Sequence, residues 1–301
     1  MKRSKILKKP NLRKLNCSDY GVVGIIVAVL LIGLLVSVVS LIQYQYVPKW
    51  MEEKEAEHMD AVLTQFSQLK FAIDTQSASG QTNTPIATSI TLGSKELPYL
   101  MSMRSYGRLE IISDACNIII DDVAGGRTGP ISLGIIKYTS ANAYYIPEEK
   151  QSYVYEAGSI ITSQTKGSSI SIKPSFKLVK SPDNKIIFSV VNISGFGDKT
   201  SIGGYDTVPI QTEFFINTSN SFPPVLGAEY ISIDTSYPVA WSVFLNSSLR
   251  VGGYEYGDNK DYIIDYTDDN VMIEFRPNSG YPDIELALID ISGQIGPGWL
   301  E

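Results

Sequence analysis

The chain has 301 residues, 25 basic and 32 acidic side chains, one histidine, two cysteines and a net charge of −7. Seven of the basic residues but only one acidic residue lie in the first twenty positions, so the remainder carries 18 against 31. An acidic body of this kind argues against nucleic-acid binding, which rests on clustered Lys and Arg releasing counterions from phosphates, and against docking on anionic lipid heads.

Residues 1–20 form a basic leader, in which Lys2, Arg3, Lys5, Lys8, Lys9, Arg13 and Lys14 are opposed only by Asp19. Val22 to Ile42 then contains no charge. As a helix at about 1.5 Å per residue it spans roughly 30 Å, the thickness of a bilayer core. A secretory apolar region runs about 7–15 residues and ends at an A-x-A-like site, and neither feature is present. The span 21–43 is therefore expected to be a single transmembrane helix in the cell membrane. The positive-inside bias leaves the amino terminus cytoplasmic and the carboxy-terminal part extracellular.

Cys17 and Cys116 then lie on opposite sides of the membrane and cannot pair. Cys116, inside the apolar stretch LEIISDACNIII, reads as a small core residue. Gly24, Gly33, Ser37 and Ser40 are small residues of the kind that let helices approach closely in lipid, and Gly33 with Ser37 makes a small-xxx-small pair.

In the juxtamembrane segment, 44–75, Met59, Val62, Leu63, Phe66, Leu69 and Ile73 recur at three- and four-residue spacing, which predicts a helix with one apolar stripe. Pro48 removes a backbone donor and is expected to kink the rod running from Tyr20 to Asp74, with Tyr46 and Trp50 suited to a bilayer boundary. TQSASGQTNTPIATS then reads as a linker.

From about Ile86 the texture changes to short runs rich in Ile, Val, Tyr, Phe and Thr between Gly, Pro, Asn and Asp, such as ISLGIIKYTS, NKIIFSVVNIS and DIELALIDISG. These predict an α+β chain: a pilin-like helix followed by a large antiparallel β-sandwich-type head over 76–301, built as one head or as two β modules. One segment, YPVAWSVFLNSSLR, has helical spacing and is expected to lie across a sheet. AGGRTGP and SGFGDKTSIGG lack phosphate-loop spacing and read as hairpin turns.

The only histidine, His58, sits among glutamates on the juxtamembrane helix, so the head has none for a Ser-His-Asp, Cys-His or multi-histidine zinc site. No catalytic residue and no cofactor is expected. Asp258, Asp261, Asp265, Asp268 and Asp269 form the densest acidic stretch and would offer oxygen ligands to calcium, but without EF-hand spacing they read first as solvated turn residues. Asn192, Asn217 and Asn246 head N-x-[ST] sequons in the exported part.

DYGVVGIIVAV resembles the opening motif of archaeal type IV pilins, where a peptidase cuts ahead of the apolar helix; the equivalent bond here is Gly21–Val22. No Glu stands at the fifth position after it. The stretches ITLGSKELPYL, YYIPEEKQSYVYEAGSIITSQTKGSSISIKPSF, IIFSVVNISGFGDKTSIGGYDTVPIQTEF and YPVAWSVFLNSSL together resemble an uncharacterised family of archaeal membrane-anchored surface proteins, frequent in methanogens. That resemblance implies a pilin-like helix with a β-rich external head and brings no enzymatic activity. The expectation is a non-enzymatic surface subunit whose partners are membrane lipid and either copies of itself, in a filament, or other envelope proteins. The alternative is a permanently anchored adhesion module that recognises envelope glycans or a protein.

Overall fold

The computed structural model describes residues 19–94, 105–145, 150–180, 183–197, 199–216, 222–276 and 280–296, with side chains from Val22 onward. The chain divides at Pro48 into two units, Met1–Pro48 and Lys49–Glu301.

In the first unit helix α1 covers Asp19–Leu41 and passes into a π-helical turn over Ile42–Tyr46. There the Val47 N–H reaches back five residues to the Ile42 carbonyl. The wider turn falls just ahead of Pro48, which has no N–H to give to an ordinary helical bond.

In the second unit helix α2, assigned over Val47–Ser79, buries Met51, Met59, Val62, Phe66, Leu69 and Ile73 along one face. It outruns the sequence expectation by one turn: Gly80 at φ 59° donates to the Gln76 carbonyl and closes the end as a left-handed glycine cap. The expected linker is thus shortened at both ends, because β1 (Ile86–Thr91) begins inside it.

The strands that follow are β2 (Tyr106–Asp122), β3 (Ile131–Ala141), β4 (Gln151–Glu156), β5 (Ser159–Gln164), β6 (Gly167–Ile172), β7 (Ser175–Val179), β8 (Lys185–Gly195), β9 (Ser201–Gly204), β10 (Thr207–Phe215), β11 (Ala228–Asp234), β12 (Tyr262–Tyr266), β13 (Asn270–Phe275) and β14 (Asp283–Ile295), with helix α3 (Pro238–Val251) between β11 and β12. They form a five-stranded sheet, β1-β10-β14-β8-β7, and a nine-stranded one in which β12-β13-β11-β2-β3-β4-β5-β6 run side by side and β9 pairs with β2. AGGRTGP lies in the β2–β3 turn, as its glycines suggest.

The architecture is α+β with a β-rich head, and among the described strands one pairing departs from the antiparallel expectation. β8 and β14 run parallel, from Asp283 beside Lys185 to Gly293 beside Gly195. Parallel neighbours need a long crossover rather than a hairpin, and the whole chain between them supplies it.

Two cores fill the head, and the long strands serve both. Leu109 and Ile111 of β2, Ile136 and Tyr138 of β3, Val191 and Ile193 of β8, and Ile289 and Ile291 of β14 pack with the α2 stripe. Farther along the same strands Cys116, Ile118 and Ile120, then Ile131 and Leu133, Ile186 and Phe188, and Ile284 and Leu286 pack with Trp241, Phe244, Leu245 and Leu249 of α3. In every case the buried positions change from odd to even or the reverse, so each strand turns its other face to the second core. β2 also carries an irregularity between Ile112 and Cys116, with Asp114 at φ 52°, between its two buried stretches. Where the sheets meet, a Cβ on Gly134 would stand 1.9 Å from the Ile193 carbonyl oxygen, so only glycine fits there.

Candidate functional site: an uncovered apolar helix and a helix-to-sheet seam

Every residue of α1 from Val22 to Val39 is exposed, in a segment of Val, Ile, Leu, Ala, Gly and Ser. The one polar side chain in its middle is satisfied locally: the Ser37 hydroxyl donates to the Gly33 carbonyl at 2.7 Å. Gly24 and Gly33 open onto free space, Ser40 is half-buried, and the Gly21–Val22 bond lies in the first turns of the helix.

The second feature is the seam where α2 lies on the sheets. Glu55, fully buried, accepts three backbone N–H bonds, from Ala143 at 3.0 Å, Tyr144 at 2.7 Å and Tyr145 at 2.6 Å. Three successive amides aimed at one carboxylate make an anion nest, so Glu55 clamps the turn after β3 to the helix. One turn on, His58 Nε2 lies 2.9 Å from the Tyr138 hydroxyl, which donates to the Leu92 carbonyl at 2.7 Å. The tyrosine proton is thereby spent, and His58 is the donor in the first of these bonds.

Burial holds the His58 imidazole below its usual pKa, partly opposed by Leu92 and Glu55. Burial likewise pushes the Tyr138 hydroxyl above its usual range. Gln65 grips the Thr91 N–H at 2.8 Å, and Gln76 donates to the Thr212 carbonyl at 2.6 Å. A small cleft of about 140 Å³ opens over this seam, lined by Lys54, Glu57, His58, Ala61, Thr91 and Gly93. His58 therefore works as a buried structural donor.

A third buried polar group ties α3 to the sheet. Glu156 closes β4 just before a two-residue turn, Ala157 at φ 47° and Gly158 at φ 83°. Its Oε1 accepts from the Thr235 hydroxyl and the Trp241 indole N–H, each at 2.7 Å, while Oε2 has no partner among the described residues. Burial pushes this carboxyl up to about 7 against the two hydrogen bonds. Nothing in the sequence around it marked Glu156 out.

The five aspartates of the acidic stretch are not gathered. Asp261 is buried, paired with Lys180 at 2.7 Å and accepting the Glu255 N–H at 2.8 Å. Asp258, Asp265, Asp268 and Asp269 are exposed on turns and the end of β12. Among the described residues no group of three or more His, Cys, Asp or Glu side chains is placed to hold a metal ion.

Asn192 sits within β8, its Oδ1 taking the Gly134 N–H at 3.0 Å and its Nδ2 donating to Asp290 at 2.8 Å. The nitrogen a glycan would occupy is thus engaged in tying the two sheets together. Asn246, half-buried on α3, accepts the Tyr262 hydroxyl at 2.8 Å. Asn217 and Cys17 lie outside the described residues, and Cys116 is buried with a free thiol.

These parts define a class of architecture: a β-rich head and, among the described residues, a single helix, near the amino terminus, long and apolar enough to cross a membrane. No family model, curated protein or solved structure matches the chain.

Proposed function

We propose that the protein is a non-enzymatic surface subunit held in the cell membrane by α1, with its basic leader in the cytoplasm and its acidic head outside, and that copies pack through α1 in a pilin-like assembly. The observation that carries this reading is the exposure of α1 on every side. A helix apolar all round needs an apolar medium, and the candidates are lipid and the same helix of other copies. The charge contrast between leader and head supports the orientation, and Gly33 with Ser37 gives neighbouring helices a shallow face.

Mass spectrometry of the mature chain tests the processed form: a first residue at Val22 supports the pilin-like version, and a retained leader replaces it with a permanent anchor. Protease added to intact cells should remove the head and leave the leader. Loss of the leader with the head spared would overturn the orientation.

A further inference from the structure

The chain is acidic as a whole, yet one groove in the head is edged by lysine. β7 ends the five-stranded sheet, with β8 on one side and no strand on the other among the described residues. Between β7 and the C-terminal half of α3 runs a groove of about 430 Å³. Phe176, Leu178 and Phe244 line it, and Val251 stands beside them 89% exposed. Lys173 and Lys177, both exposed, edge it, and neither is in an ion pair among the described residues.

The complementary shape and charge occur elsewhere on the same head. At the β12–β13 turn Tyr266, Thr267, Asp268 and Asp269 are all exposed, Tyr266 by 57%. The Thr267 hydroxyl donates to Asp269 at 3.0 Å and orders the tip. One uncovered aromatic ring is thus flanked by carboxylates.

We propose that the Tyr266–Asp269 tip of one copy seats in the β7–α3 groove of the next, with the ring on the phenylalanines and the carboxylates on Lys173 and Lys177. The proposal rests on the assembly reading above and names the head contact within it. Acidic copies repel one another, so a contact that sets an acidic element against a basic one is favoured between them. Pairing β7 with its own copy would set lysine against lysine, the arrangement that keeps edge strands apart. A buried tyrosine supplies the anchor of such an interface, while rim charges fix its register. Tip and groove are different surfaces, so the contact is head-to-tail and repeats along a filament unless its rotation closes a ring.

The test uses the full chain in detergent micelles and in vesicles. Lys177→Cys and Asp268→Cys are made separately on a Cys17→Ser background and then mixed under oxidation. A disulfide-linked dimer should form from the mixture and from neither variant alone. Reversal of the groove, Lys173→Glu with Lys177→Glu, should weaken association by about tenfold or more, and Asp268→Lys with Asp269→Lys in the same chain should restore it. Dimers of Lys177→Cys with itself, or a reversed groove that assembles like the wild type, overturn the contact and leave the assembly reading standing. A wild type that stays monomeric in both micelles and vesicles overturns the assembly reading together with it.

Discussion

Helices α1 and α2 follow one another in the chain and are both rich in apolar residues, yet they solve opposite problems. α1 is apolar on every side and exposed from Val22 to Val39, whereas α2 is apolar along one stripe and that stripe is closed by the head. The difference lies in pattern rather than in amount. A one-sided helix finds its apolar partner within its own chain, and a helix apolar all round must find it outside. The largest effect that would break this contrast comes from charging α1. Leu30→Lys with Leu34→Lys puts two ammonium groups near the centre of the span, each costing about 3 kcal/mol there. Fractionation should find the variant released from membranes, and the head of the released protein should melt where the wild type does.

The reciprocal change belongs to α2. Phe66 is fully buried among the residues of the seam, with the Tyr153 ring 6.2 Å away. Phe66→Ala removes a buried ring and leaves a cavity, so the head should lose about 3–5 kcal/mol of stability in denaturant. Membrane retention should stay as it was. A variant that left the membrane would show that the two helices do not divide these tasks.

The contrast was legible in the residues themselves, since the three- and four-residue spacing of Met59, Val62, Phe66, Leu69 and Ile73 and the unbroken run from Val22 are both local patterns. Less visible were the polar groups that lock the stripe. Glu55 and Gln76 stand in phase with it, four residues before Met59 and three after Ile73, and a polar residue at a stripe position is the signal that would have found them. Glu156 and Asn192 gave no such signal. Each is held by groups far away in the chain, Thr235 and Trp241 for one, Gly134 and Asp290 for the other. The parallel pairing of β8 with β14 was hidden for the same reason, because strand direction depends on the path between strands.

The second core offers a sharper comparison through pH. The folded-state pKa of Glu156 is raised from 4.5 to about 7. Its contribution to stability is therefore complete below about 4.5 and is lost as pH rises through about 7, by an amount on the order of 3 kcal/mol. Glu156→Gln keeps an oxygen to accept from Thr235 and Trp241 but cannot ionise. Denaturation followed across this range should show the variant with most of that loss removed, and an unchanged slope would mean that the carboxyl does not titrate in the folded head.

His58 supplies the smallest and oppositely signed effect, and it belongs to the α2 seam. Its folded-state pKa is lowered, so the stability it contributes is complete above the unfolded value of 6.5 and is lost as pH falls below it. In the wild type this slope is masked by the larger one from Glu156, because the two run against each other in the weakly acidic range. On the Glu156→Gln background it should emerge as a head that weakens on acidification, and adding His58→Gln, which can still donate to Tyr138, should flatten it. Membrane retention should not follow pH in any of these variants, because the exposed span from Val22 to Val39 carries no titratable group. Release from the membrane in step with His58 protonation would tie α1 to the seam and remove the separation between the two helices.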